Sequence, residues 1–302
     1  VLHDAEDVVH PGELRVFDHL LERVDAVQIP VLPLVDRRSR LVSGHYVDEF
    51  AEAHTKQLPV REALGAGLPF AGTGCAISCA VLDRLAAARG GDPFDAESLT
   101  EDYELGLAIA AAGARGCFAL VEEGSGRQPV AVRAFFPATL ETSVRQKARW
   151  MTGIALAGWD RTGWSGATRL GDHWMRMRDR RTILAVPVLA VAYCALLLWG
   201  AGALLHAIAA TPLPVPAPGV RMLLFVNALL LGWRLVMRFH FTRRLYGPVE
   251  AWLSLPRLLV GNLVALLAAR RALWRYCAML RGRAIRWDKT AHHFPELTEA
   301  AR

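Results

Sequence analysis

What the sequence has little of narrows it first. Five cysteines occur in 302 residues, Cys75, Cys79, Cys117, Cys194 and Cys277, with no CxxC pair among them. That argues against a disulfide framework or a paired-thiolate zinc site, and for reduced, buried thiols in a cytosolic or membrane setting. Neither G-x-x-x-x-G-K-S/T nor G-x-G-x-x-G is present, so phosphate capture by a glycine loop at a helix start has no support. No initiator methionine or signal-peptide pattern opens the chain at Val1, and it reads as a piece that begins inside a domain. Charge is missing altogether from Thr182 to Ala210, "TILAVPVLAVAYCALLLWGAGALLHAIAA". That stretch exceeds the roughly 20 apolar residues needed to cross a bilayer.

What is present divides in two. The composition is 53% hydrophobic with a mean hydropathy of +0.24, yet 21% of residues are charged, which suggests a soluble part joined to a membrane part. A charge-free loop, "TPLPVPAPG", leads from the first apolar stretch to a second at 220–237, with Arg221 and Arg234 near its ends, where arginine can snorkel. "RMRDRR" (Arg176–Arg181) abuts the first stretch and "RFHFTRR" follows the second, so the positive-inside rule places both flanks in the cytoplasm. The expected organisation is an α/β domain at 1–165, an interfacial basic segment at 166–181, transmembrane helices at 182–210 and 220–237, and an interfacial helix with a basic cytoplasmic tail at 238–302. Within the last zone Pro256, Arg257 and Asn262 interrupt the apolar pattern, which favours a helix lying on the membrane over a third span. From Arg270 onward eight Lys/Arg face three acids, which suits anionic lipid. This accounts for the net charge of +6 without nucleic acid, for which the basic residues lack interleaved aromatic platforms.

The first 165 residues alternate in pattern. Helices are predicted over Glu13–Val24 and around Tyr46–Gln57, and a strand over Ala26–Ile29. "LPFAGTGCAIS" reads as a strand with a glycine turn, a helix follows Ser98, and "GCFALVEEG" reads as another strand. The alternation argues for a sheet covered by helices.

Four stretches carry candidate chemistry. In "VLHDAEDVVHP", Asp4 and Glu6 would share one face if the segment is extended, and could converge on a hard cation such as Mg2+ or Mn2+; acidic loop residues are the ordinary alternative. In "RQKARWMTG", Gln146, Arg149 and Trp150 are spaced to share a helix face. A guanidinium pairs well with diphosphate and an indole with a ring, although an interfacial anchor has the same spelling. "AGTG" (Ala71–Gly74) allows either close backbone approach or a plain tight turn. In "SLTEDYELG", Ser98 and Glu101 have the spacing of a capping box. Glu104 reads there as a solvated acid, and Asp102 is either helix-start decoration or a base.

The order of these features resembles that of the processive membrane glycosyltransferases of family 2, the group that includes cellulose synthase. Asp4-Ala-Glu6 after a strand is followed by the glycine turn, Thr100-Glu101-Asp102, Gln146-x-x-Arg149-Trp150 and then membrane helices. More narrowly, "VDAVQIPVLPL", "YVDEFAEAHTKQLPVREAL" and "IRWDKTAHHFP" resemble NfrB-like inner-membrane glycosyltransferases, a group known for phage adsorption and polysaccharide export. The resemblance implies the C-terminal part of a GT-A (Rossmann-like) domain that transfers sugar with inversion from a nucleotide-sugar, expected to be a UDP-sugar, to a polysaccharide acceptor. It implies Asp4 and Glu6 as metal and donor ligands, Asp102 as general base with its charge favoured by the helix start, and Gln146, Arg149 and Trp150 at the donor. It also implies a bacterial inner-membrane location with the catalytic domain in the cytoplasm, an outer-membrane export partner, and cyclic di-GMP only through a further domain not represented in these residues. Glu6 departs from the family's usual aspartate. The alternative is an inactive scaffold, export or phage-adsorption subunit that retains a degenerate transferase domain.

Overall fold

The computed structural model describes residues 1–95, 97–122 and 128–283. The tail motif "IRWDKTAHHFP" and the end of "GCFALVEEG" lie outside them. Helix α1 (Glu13–Leu21) turns Val16, Phe17, Leu20 and Leu21 to the core, the spacing of an amphipathic helix. The run from Ala26 to Pro33 is buried throughout and holds β1 (Ala26–Gln28) and β2 (Val31–Pro33). α2 (Gly44–Glu52) continues through a π-helical turn, Ala53–Gln57, into α3 (Leu58–Ala63). β1 lies between β3 (Cys75–Ile77), antiparallel, and β4 (Gly116–Phe118), parallel. Beyond Pro30, which has no amide hydrogen to donate, the run changes neighbour and β2 pairs in parallel with β5 (Val132–Ala134). The β2–β5 pairing was not foreseen, because three-residue strands carry too few alternations to register.

Alternate strand residues enter opposite cores. Ala26, Cys75 and Ile77 join Leu68, Phe70, Val81, Leu85, Leu105 and Ile109 beneath α4 (Cys79–Arg89) and α5 (Glu101–Ala111). Val27, Ile29 and Ala76 meet Phe17, Val130 and Val132 beneath α1. Helices therefore cover both faces of a mixed sheet. The α/β reading of this part holds. Of the cysteines, only Cys75 is buried, while Cys79, Cys194 and Cys277 are exposed, so the expectation of buried thiols holds for one position.

The remaining helices are α6 (Leu140–Trp150), a π-helical turn Met151–Leu156, α7 (Ala157–Thr162), α8 (Leu170–Arg180), α9 (Thr182–Ile208) and α10 (Pro218–Leu280). Gly247, with φ +82°, breaks α10 into two arms, 218–246 and 248–280. α9 and α10 are each long and apolar enough to cross a membrane. Their apolar side chains face outward, with Val188 68% and Leu198 73% exposed, an unpartnered surface of the kind lipid covers. The second arm behaves differently. Ala268 and Ala272 pack on Ala148, Val144 and Met151 of the α6 region, and Arg257 is fully buried. Its guanidinium donates to Asp48 Oδ1 at 3.2 Å and to Glu250. Arg238 (3.2 Å) and Thr242 (3.2 Å), from the first arm, donate to the same Asp48 carboxylate. Some cations assigned to the membrane face are thus spent inside the protein, as Arg238 is here. Arg176 pairs with Asp172 at 2.8 Å, and Arg180 lies over the Trp159 and Trp164 rings at 4.6 and 4.7 Å.

Candidate active site

Asp102 sits in the first turn of α5 with Thr100 as N-cap. The expected capping box does not form, since no side chain caps this helix. Ser98 Oγ instead donates to Glu104 Oε1 at 2.7 Å and accepts from the Thr100 amide at 3.1 Å. Glu104 is not a solvated acid. It is buried, and Arg161 of α7 binds it through Nε at 3.1 and 3.0 Å and through Nη2 at 2.5 Å. A carboxylate so buried is retained because a planar guanidinium fork matches it.

The glycine turn folds against Asp102. Gly72 (φ +79°) and Gly74 (φ +61°) adopt left-handed conformations, which favour glycine. A Cβ at Gly72 would lie 3.1 Å from Asp102 Oδ2. Beside them opens a cavity of about 400 Å³ lined by Gly72, Cys75, Phe94, Glu101, Asp102 and Leu105, among others. Burial pushes the Asp102 carboxyl up to about 6, with Glu101 adding to the rise, while helix-start amides and Arg149 pull the other way. The expectation that the helix start favours the charged form therefore yields to desolvation, the larger of the two effects here. Burial and the Asp102 charge push the Cys75 thiol up to about 12.

Gln146, Arg149 and Trp150 do lie on one helix, α6. Arg149 is near enough for its charge to act on Asp102. Gln146 is buried, and its Oε1 has no protein partner, as is also true of Thr100 Oγ1. Trp150 turns towards Tyr46 and Phe50, with ring centroids 6.1 and 6.3 Å away, and is not among the cavity-lining residues. The π-helical turn that follows brings Gly153 onto Thr100, where an added Cβ would sit 2.5 Å from Oγ1. Local π-helix often marks functional sites, and here it docks the Gln-x-x-Arg-Trp helix on the Thr-Glu-Asp turn.

Asp4 and Glu6 do not lie in a strand. Residues 4–7 form a reverse turn in which the Asp7 amide donates to the Asp4 carbonyl at 3.2 Å, so strand alternation does not place the two acids together. Asp4 is exposed and Glu6 half-buried. The inward acid is Asp7, its side chain 1% exposed, accepting from the Asp4 amide at 2.8 Å and from Thr73 Oγ1 of the glycine turn. Sequence reasoning missed Asp7, and it also missed Gln28, whose only signal is a polar residue within an otherwise apolar run. No group of three His, Cys, Asp or Glu side chains placed to hold a metal occurs among the described residues. The described donors do not by themselves make a metal centre.

A mixed sheet with a carboxylate at a helix start, a glycine turn against it and an adjoining arginine-bearing helix is consistent with the glycosyltransferase family that the sequence resembles. Residues 1–268 match the family described as glycosyl transferase family group 2, and the chain belongs to that family. Such enzymes use a nucleotide-sugar donor and an acceptor, usually with a divalent metal. The chain is also 35% identical over 318 residues to bacteriophage adsorption protein B of Escherichia coli K12, and equally to bacteriophage N4 adsorption protein B of E. coli O157:H7. The match covers 99% of this chain and 42% of each relative, so the chain spans less than half the length of the curated relatives it matches.

Proposed function

We propose that this protein transfers a sugar from a UDP-sugar to a polysaccharide acceptor with inversion at the anomeric carbon, and that Asp102 is the base. The observation that carries this reading is Asp102 itself, held against Gly72 at the edge of a cavity and raised to about 6. A carboxylate at that value is largely ionised near neutrality yet basic enough to accept a proton. The acceptor oxygen bonds to the anomeric carbon as its proton passes to Asp102, and the bond from that carbon to the diphosphate breaks. Arg149 pairs with diphosphate oxygens, while Gln146 Oε1, buried without a protein partner, is available to a donor hydroxyl. Asp4 and Glu6 are the carboxylates this chain would offer a divalent cation, but no step is assigned to one, because these two donors on a turn do not complete its shell.

The two apolar helices support an inner-membrane, multi-pass protein with this domain on the cytoplasmic side. The relatives' names speak of bacteriophage adsorption and support a role in that process; an outer-membrane export partner is proposed from the family resemblance alone. The decisive experiment incubates the full-length membrane protein with a panel of UDP-sugars, with and without Mg2+ or Mn2+, and measures UDP release. Release that Asp102→Asn removes is expected. Undiminished release from Asp102→Asn would remove the base from the mechanism. A second reading, a scaffold with a degenerate transferase domain, is favoured by the turn that separates Asp4 from Glu6, and it requires that no donor of the panel be consumed.

A further inference from the structure

We propose that Gln28 is a positioning residue for glycosyl transfer: its buried side-chain amide fixes the glycine turn 71–74 in the place where Gly72 walls Asp102. The inference rests on Asp102 as base. Gln28 lies in the central strand β1 and is fully buried. Its Nε2 donates to the carbonyls of Thr73 at 2.8 Å, Gly74 at 3.0 Å and Ile29 at 2.8 Å, and its Oε1 accepts from the Ala71 amide at 2.9 Å. One side chain therefore pairs with three backbone groups of the turn, the Ala71 amide and the Thr73 and Gly74 carbonyls, the last of which also accepts from the Ile29 amide at 2.9 Å; buried groups of this kind are costly to leave unpaired. Asp7 also accepts from Thr73 Oγ1. The turn is thus held by Gln28 and by Asp7, and its Gly72 meets Asp102.

The β-carbon-free wall sets how closely Asp102 is enclosed, and enclosure sets its basicity. The charged or titratable groups facing it are Glu101 on its own helix, Asp95 across the cavity, Cys75 from β3 and Arg149 from α6. Cys75 is the cross-strand partner of Gln28 in the β1–β3 register, while Glu101, Asp95 and Arg149, the charged groups, share no hydrogen bond with Gln28. Loosening the turn should therefore admit water beside Asp102 without changing its charged neighbours.

The test uses the full-length membrane protein and the UDP-sugar that the wild type consumes. Gln28→Met keeps the length of the side chain and removes its hydrogen bonds. It should lower kcat about tenfold to a hundredfold, as displaced catalytic geometry does, with the donor KM changed less than about threefold. The acidic limb of the kcat/KM profile should move to lower pH by about one unit as desolvation is relieved. Gln28→Asn keeps a neutral amide on a shorter side chain and should show the same changes to a smaller extent, which covers a Met variant that fails to fold. A readout free of activity is Cys75, buried in the cavity wall next to Gly74. In a Cys79→Ser, Cys117→Ser, Cys194→Ser, Cys277→Ser background its maleimide alkylation should quicken about tenfold when the turn opens locally. Wild-type kcat, or a lowered kcat with the acidic limb unmoved and Cys75 still protected, overturns the role of Gln28 alone. Turnover by Asp102→Asn overturns the reading beneath it.

Discussion

Asp48, fully buried, and Asp102, half-buried, are two carboxylates with the same displaced acidity and opposite surroundings. Burial pushes each up to about 6, and nearby arginines oppose the rise in both. Around Asp48 every approach is filled: Arg238, Thr242 and Arg257 donate to it, and its side chain is fully buried. Around Asp102 one side is only the Cα of a glycine and another is open cavity. Perturbed acidity marks both, so acidity alone does not designate a catalytic group. Access to a cavity is what sets Asp102 apart from Asp48. Asp48 instead joins α2 to both arms of α10 across Gly247, and α2 in turn meets α6, where Glu49 pairs with Lys147 at 2.5 Å and Tyr46 faces Trp150. The helix that emerges from the apolar region is thereby tied to the one behind the site.

The comparison breaks most sharply at Asp102→Asn. UDP release should fall by about 10²–10⁴-fold, the usual worth of general base catalysis, while stability does not fall. A carboxyl raised in the fold contributes stability that is fully present below its unfolded pKa and lost as pH rises through about 6. Removing the ionisable group should thus leave the melting temperature at pH 7 equal or higher, and thermal unfolding in detergent checks it. Asp48→Ala should do the reverse, costing about 3–5 kcal/mol because it leaves Arg238 and Arg257 buried without their shared partner; denaturant unfolding measures this. If the two variants exchanged phenotypes, the assignment of roles would be wrong.

Arg149→Ala should weaken UDP-sugar binding by roughly 1.5–3 kcal/mol if its guanidinium pairs with diphosphate, read by titration calorimetry; unchanged affinity would assign Arg149 to support of the fold. Gly153→Ala drives a methyl group towards Thr100 Oγ1 and should cost about 1–3 kcal/mol, the usual penalty for overpacking, with turnover falling alongside stability. The mildest effect is on pH. With Asp102 as base, kcat/KM should drop about tenfold for each pH unit below about 6, and a profile flat from pH 7 to 5 would count against it.

Much of this protein was legible in its residues alone. The uncharged stretch from Thr182 and the alternating pattern before it define an apolar helical region and an α/β domain, because hydropathy and periodicity are local properties of the chain. The order of Thr100-Glu101-Asp102 and Gln146-x-x-Arg149-Trp150 was enough to suggest the family. Tertiary structure decided which acids do which work. Glu104 looked solvated and is buried against Arg161, Asp7 rather than Asp4 or Glu6 turns inward, and Arg257 looked like an interruption of an apolar helix but lies between Asp48 and Glu250. Each of these depends on a partner tens to hundreds of positions away or on a turn that cancels strand alternation. The burial of a charge is set by what the fold brings beside it, and no local window of sequence contains that information.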